Sequence, residues 1–318
     1  MLSYALRRLA LAVPLAIAIT MLSFAIVRWA PGGPLASADP RVREVDRARV
    51  ERVLGLDQPL VSQYVRWLRT LLRGDLGQSF TTGQPVTTMI GARLPATLEL
   101  MGTALVLSLV IGIGLGIVGA LRPGSWCDRG LAVVTLAGLS VPVFWLGVLA
   151  ILVFSATWGW LPAGGRATLG LAFTWGDRWR HLALPVAVLT VAQVPLWSRH
   201  VRANLIERLQ DEHVRAARAR GISERRVIAR HGLPGALTPL VTLLGLQVPA
   251  LFTGAVITET VFAWPGLGRL FHDGVAHFDY PRVLGILAVA AVLTIAGNLA
   301  ADLTCARLDP RLRLRAPS

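Results

Sequence analysis

Lysine is missing from this 318-residue sequence: all 32 basic residues are arginine. That excludes a P-loop lysine gripping nucleotide phosphates and a Schiff-base lysine within the chain. Carboxylates are scarce as well, with 18 Asp and Glu, which leaves a net charge of +14. Charged residues make up 16% of the chain, against about a quarter in an ordinary soluble domain. The six histidines show no metalloprotease spacing, and no serine lies in a Gly-x-Ser-x-Gly elbow, so no enzyme is expected. Cysteine is nearly absent: there are only Cys127 and Cys305.

What the chain has in excess is apolar length. Residues are 54% hydrophobic, the mean hydropathy is +0.58, and the excess is concentrated in runs. Six spans are predicted, roughly at 9–29, 100–121, 131–158, 182–198, 236–257 and 283–301. Each is near the 17–25 residues a transmembrane helix requires, and the third is long enough to tilt. The expected class is therefore all-α and polytopic, in contact with membrane lipid.

The positive charge has a topological reading before a nucleic-acid one, and no nucleic-acid partner is expected. With a cytoplasmic N-terminus, the cytoplasmic segments hold 17 arginines and the two short outer loops hold 5. The segment from Arg28 to Arg93 is too long for the positive-inside rule to count. Both termini are expected in the cytoplasm. Cys127 and Cys305 then fall on or near that side, and a structural disulfide is not expected. Arg7-Arg8, an apolar run and Ala36-Ser37-Ala38 imitate a signal peptide. The run of about 19 residues exceeds an h-region, however, and the triplet lies past Arg28 and two prolines, so a retained first span is expected.

The expected organisation is residues 1–29 as N-terminus and first span, 30–95 as a small extracytoplasmic segment, and 96–318 as a five-helix core. In the outer segment, Arg41 to Leu54 is helix-compatible, and Gln63 to Leu72 places Val65, Leu68, Leu71 and Leu72 at helical spacing. Pro14, Pro142, Pro185, Pro195, Pro239 and Pro249 fall inside spans, where each can kink a helix. Gly114-Leu-Gly116-Ile-Val-Gly119 matches the dinucleotide fingerprint but lies in an apolar span with no strand before it. With Gly112, these glycines are expected to admit a neighbouring helix closely.

Between the fourth and fifth spans lies a basic elbow at about 200–234, and the segment from Arg199 to Arg230 holds nine arginines. A helix over about 200–220 would put Leu205, Leu209, Ala216 and Ala217 on or near one face, with Asp211 and Arg215 paired i,i+4. Gly221 suits the left-handed position that ends a helix. Ser223 can N-cap a second short helix through about His231, expected to stop before Pro234. Small residues and forked arginines suit a docking surface. A positive-inside loop lying on anionic lipid is the other reading, and composition leaves both open.

Arg215-Ala216-Ala217-Arg218-Ala219-Arg220-Gly221, followed by Leu233-Pro234, resembles the EAA loop of ABC importer permeases. Arg215 stands where glutamate is usual, a replacement typical of the peptide-importer branch, and His231 where isoleucine is usual. Leu54-Gly-Leu-Asp-Gln-Pro-Leu60 and Gly74-Asp-Leu-Gly-Gln-Ser-Phe80 are similar to that branch's outer segment. Thr258-Glu-Thr-Val-Phe-Ala-Trp-Pro-Gly-Leu-Gly268, Asp279-Tyr-Pro281 and Asn298 to Arg311 are similar to its last outer loop and final span. In order and over essentially the whole chain, the sequence resembles the DppB/OppB-type permeases of dipeptide, oligopeptide and nickel importers.

The resemblance implies a type I ABC importer permease fold in the bacterial plasma (inner) membrane. It also implies a DppC/OppC-type second permease, two cytoplasmic ABC ATPases and an extracytoplasmic substrate-binding protein. ATP and Mg would be bound by the ATPases, with no cofactor and no metal in this chain. Short peptides would pass by alternating access, with nickel chelates and glutathione-like compounds open as substrates. The residues implied in ATPase coupling are Asp211, Glu212, Arg215, Ala216, Ala217, Arg218, Arg220, Gly221, Ile222 and Ser223, with Asp211 or Glu212 as candidates to replace the lost glutamate.

Polar groups in or near spans mark a candidate path, Gln193, Gln247, Glu259 and Asn298, although interhelical hydrogen bonding or an interfacial position is the favoured role for each. Trp264, Pro265, Gly266, Phe278, Asp279 and Tyr280 are candidates for a binding-protein contact or outer gate, or for plain interfacial anchoring. The rival function is a proton-coupled secondary transporter, which would want a carboxylate near mid-membrane. The spans place none there, since Glu259 and Asp302 lie near span ends.

Overall fold

The computed structural model describes residues 2–29 and 58–308. The expected helix at Arg41 to Leu54 lies outside the described residues. Helix α1 (Leu2–Trp29) carries Pro14, and α2 is Leu60–Leu72. The next helix, α3 (Val86–Leu121), is 36 residues long. Residues 86–95, placed in the outer segment from sequence, form its first turns. The third span is divided into α4 (Trp126–Ser140) and α5 (Val143–Ala150), the latter extended by a π-helical turn Ile151–Thr157. The division has a local cause: Val141 is extended at φ −90°, ψ 123°, as the residue before Pro142 must tend to be.

Helix α6 (Trp175–Arg208) absorbs both Pro185 and Pro195. After it come α7 (Glu212–Ala219), the single turn α8 (Glu224–Val227) with a π turn Ile228–Gly232, and α9 (Leu233–Val261). Helix α10 (Leu267–Ala276) and the long α11 (Tyr280–Leu308) complete the chain. Among the described residues five helices are long and apolar enough to cross a membrane, or six if the bent α4–α5 pair is one span. No strand is present among them beyond one isolated bridge, Gln78 to Pro85.

The centre of the bundle is the α3–α6 contact, and glycine is its cause. A Cβ at Gly112 would sit 2.5 Å from that of Trp197, and one at Gly116 would sit 2.7 Å from that of Val201. Gly119 faces Asp128 and Arg202, whereas Gly114 has nothing near it. Gly112 and two of the three fingerprint glycines, Gly116 and Gly119, therefore serve helix approach. Above this seam Ala96, Leu100 and Ala104 pack on Leu182, Val186 and Leu189. At the seam itself Trp197 and Val201 pack with Leu240 to close the interior.

Helix α2 docks on α1 with a rotated face. Tyr64, Trp67 and Leu68 pack on Phe24 and Leu284, and the Tyr64 hydroxyl lies 3.0 Å from Thr20 Oγ1. Of the apolar set expected from spacing, Val65 and Leu72 are exposed. The aromatic rings offer more area than the aliphatic stripe and decide which side turns inward.

Candidate functional site: the elbow and the outer clasp

The elbow is built differently from the single helix expected over 200–220. Leu205 and Asn204 belong to the end of α6, where Asn204 Nδ2 donates to the Ala236 carbonyl at 3.2 Å. The chain then bends at Leu209–Asp211. Asp211 is extended, at φ −61° and ψ 147°, at the N-cap of α7. It therefore faces back to Arg208 at 3.3 Å, and the expected Asp211–Arg215 pair is not made.

Helix α7 ends as expected. Gly221 has φ +74°, the Gly221 amide donates to the Arg218 carbonyl, and the Ile222 amide donates to that of Ala217. Those two bonds are the Schellman pattern, and Ile222 supplies the accompanying apolar contact against Val214, Ala217 and Val227. Ala217 thus faces inward, not toward a partner. Ser223 occupies the N-cap position of α8 without a side-chain hydrogen bond.

The expected stop before Pro234 does not occur. Backbone from Glu224 to Val261 stays helical, because the wide turn at Ile228–Gly232 precedes Pro234 and places it in the first turn of α9, where no amide is required. Gly232 lets that turn lie against Leu209 and Leu205.

The outward surface left by this packing includes Glu212, Arg215, Ala216, Ala219, Arg220 and Ser223, all exposed. Arg218 turns back on the elbow itself. Its guanidinium holds Glu224 at 2.6 and 3.0 Å and donates to the Leu209 carbonyl at 3.1 Å. Arg215 and Arg220 carry no side-chain ion pair among the described residues.

At the opposite end of the bundle, the residues proposed from sequence as surface contacts are mostly interior. Trp264 is fully buried and donates through Nε1 to the Ala96 carbonyl at 2.9 Å. Asp279 is fully buried too, accepting from Ser79 Oγ at 2.5 Å, the Phe80 amide at 3.0 Å and Thr81 Oγ1 at 2.9 Å, with Arg282 at 3.2 Å. Burial pushes its carboxyl up, but these hydrogen bonds and the Arg282 charge outweigh that and hold it below the usual range. Gly266 and Tyr280 are buried, Pro265 is half-buried, and Phe278 is exposed with φ +52°. Sequence reasoning missed Ser79, Thr81 and Arg282, which lie near positions it singled out but make contacts across some 200 residues.

The polar candidates for a path sit in unlike surroundings. Glu259 is fully enclosed, accepting from Thr97 Oγ1 at 2.7 Å and the Arg269 amide at 3.0 Å. Thr97 in turn accepts from the Leu267 amide at 2.7 Å. Glu259 therefore fastens the loop before α10 to α3. Gln247 is half-buried on α9, and the Asn298 Oδ1 on α11 is enclosed with no hydrogen-bond partner among the described residues. Gln193 Oε1 is likewise enclosed, and so are Thr190 Oγ1 and Trp197 Nε1, at i, i+3 and i+7 along α6. Thr190 and Trp197 were not singled out from sequence, although their spacing about Gln193 was legible there. A further ion-pair group, Glu99 with Arg166 at 2.6 Å and Arg178 at 3.4 Å, ties α3 to the loop before α6.

Known proteins show the same design. The family described as binding-protein-dependent transport system inner membrane component matches residues 112–314, and its N-terminal region matches residues 1–101. An oligopeptide transport system permease protein, AppB, of Bacillus subtilis is 41% identical over 314 residues, covering 98% of this chain and 99% of the relative. A di/tripeptide transport system permease protein, DppB, of Pseudomonas aeruginosa is 38% identical over 333 residues, covering 98% and 99%. Among solved structures, an inward-facing MetNI methionine ABC transporter chain superposes with a TM-score of 0.57 at 20% identity, over 70% of this chain and 96% of that one. At that identity the likeness shows the fold.

An all-α bundle of spans carrying a charged elbow at one end defines an integral, multi-pass membrane permease with the type I ABC importer fold. The chain belongs to the family of binding-protein-dependent transport system inner membrane components, as a DppB/OppB-type ABC permease.

Proposed function

We propose that this chain is one of two permease subunits of an ATP-driven importer of short peptides, and that α7, α8 and the turn between them couple it to a cytoplasmic ATPase. The observation that carries this reading is the elbow's outward surface. Ala216 and Ala219 admit a close backbone, while Arg215 and Arg220 beside them make no ion pair among the described residues. Neither small residues nor unpaired guanidinium groups on that surface contribute to the packing of the chain itself. Coupling therefore falls to Glu212, Arg215, Ala216, Arg220 and Ser223, with Asp211, Ala217, Arg218, Gly221 and Ile222 holding their geometry.

Both termini and the elbow lie in the cytoplasm, and the segment ahead of α3 forms the outer cap. The substrate-binding protein docks outside, with Phe278 as the exposed member of the sequence-derived set. ATPase closure draws the elbow toward its counterpart on the second permease and opens the path outward; hydrolysis returns it inward. The orphan polar atoms of Thr190, Gln193 and Trp197 suit a face of α6 that meets water in another state of that cycle, since burying them unpaired is costly. The ligation of Glu259 by Thr97 and backbone amides supports an anchoring role for that carboxylate and speaks against a proton relay.

The test is uptake into proteoliposomes holding the assembled transporter and its binding protein, with a labelled dipeptide outside the extracytoplasmic face. ATP on the elbow side should drive accumulation that an uncoupler leaves intact. Accumulation abolished by the uncoupler and indifferent to ATP would replace this reading with a secondary transporter.

A further inference from the structure

A cavity of about 790 Å³ opens between α3, α4 and α6 near the elbow end of the bundle. Its walls and rim differ in kind. Leu115, Leu131, Leu136 and Leu196 supply apolar wall, while Arg129 and Arg199 stand at the rim. Asp128 is the one carboxylate among the lining residues, and its charge is already used. Both its oxygens are held by Arg202, at 2.5 and 2.7 Å, and the Gly124 amide adds 2.8 Å. Neither Arg129 nor Arg199 has an ion pair among the described residues. His200 bonds the Leu196 carbonyl through Nδ1 at 2.8 Å, which leaves Nε2 for another partner.

The flank of this cavity is a membrane-facing pattern. Trp126 is 87% exposed with Arg129 stacked over its ring at 5.7 Å, and Val133 and Leu136 follow on the same side of α4, both exposed. Indole at the end of a span, arginine one turn on and bare aliphatic surface beyond is the order of groups met in passing from headgroups into acyl chains.

We propose that this cavity binds an anionic phospholipid, its phosphate between Arg129 and Arg199 and an acyl chain along the leucine wall. The charge is complementary: a rim with two guanidinium groups outside any ion pair among the described residues, and a carboxylate already held by Arg202, selects an anion. Guanidinium matches phosphate oxygens through paired N–H donors. The apolar wall gives the ligand a chain, which inorganic phosphate lacks. Zwitterionic phosphatidylcholine offers the same chain without net charge and binds less well. This site does not depend on what the permease carries.

The experiment uses the complete transporter purified in mild detergent and stripped of lipid. Phosphatidylglycerol and phosphatidylcholine are titrated separately, with bound lipid counted by native mass spectrometry. Wild type should take phosphatidylglycerol in preference. The variant carrying R129Q and R199Q should bind it roughly 30-fold more weakly, at about 1 kcal/mol for each arginine near the surface. The R129K and R199K pair keeps the charge but not the forked donors and should recover part of the binding lost in the glutamine variant, which separates lost charge from lost fold. Inorganic phosphate should not displace the lipid. Equal uptake of the two lipids, binding unchanged in the glutamine variant, or displacement by phosphate alone would each overturn the proposal. So would a complex that takes up no lipid because a second permease covers this face.

Discussion

Arg218 grips Glu224 across the Gly221 turn, with its Nη2 2.6 Å and Nε 3.0 Å from the two carboxylate oxygens. This fork joins α7 to α8 and makes Arg218 part of the elbow's own frame. Arg220, two residues on, is exposed and has no such bond. The two arginines therefore predict different phenotypes. R220E should reduce recovery of ATPase subunits while leaving hydrogen exchange over residues 209–232 unchanged. R218E should raise exchange in that segment, although an exposed pair of this kind contributes only up to about 1 kcal/mol. Equal exchange in both variants would contradict the division of roles.

Gly221 tests the turn itself. A Cβ there would meet nothing within 4 Å, so the whole penalty of substitution is the left-handed backbone at φ +74°. Gly221→Val should cost about 1–2 kcal/mol locally and cut peptide uptake per ATP hydrolysed. Gly221→Asn, which tolerates that region, should stay near wild type. If valine and asparagine behave alike, backbone strain is not what the position protects.

The clasp around Asp279 predicts an acid limb. The folded Asp279 carboxyl is held below its usual range, so its contribution is complete above the ordinary carboxylate range and is lost as pH falls through the lowered value. Asp279→Asn leaves Arg282 without its partner in a buried place and should lower stability by about 3 kcal/mol. It should also flatten the fall in thermal midpoint on acidification. An unchanged acid limb in the variant would assign that fall to other groups.

The α3–α6 seam predicts a steric limit. Gly112→Val and Gly116→Val drive a side chain into Trp197 and Val201 across a contact with no slack, at a cost of about 1–3 kcal/mol or more. Gly114→Val, on the open side, should be near neutral. A thermal series in detergent over the three variants checks the ranking, and equal loss at Gly114 would refute it.

Much of this was legible in the sequence because the signals were local. Gly221 before an extended Ser223 marked the end of α7, and the run Gly112, Gly114, Gly116 and Gly119 announced a close helix contact on α3, although Gly114 stays outside it. What was hidden depended on distant partners. Asp211 read as a helical residue able to reach Arg215, but a bend after Arg208 made it an N-cap residue facing backward. Asp279 and Trp264 read as loop residues open to a partner, since nothing near them announces Ser79 or the Ala96 carbonyl. Glu259 read as either a path residue or a structural hydrogen-bonding group, and nothing local announced that Thr97 and the Arg269 amide enclose it. The break of the third span was signalled by Pro142, although five other intraspan prolines, at 14, 185, 195, 239 and 249, gave the same signal and all sit within continuous helices.

The central claim is that the elbow engages an ATPase in an importer with a second permease. The most direct measurement is affinity capture of the tagged chain from its native membrane in mild detergent, for wild type and R220E in parallel. Partner masses and ATPase activity are then recorded. The account predicts a second permease and ATP-hydrolysing subunits with wild type, and loss of the ATPases but not of the second permease with R220E. A chain recovered alone or self-paired, reproducibly free of ATPase, would contradict it.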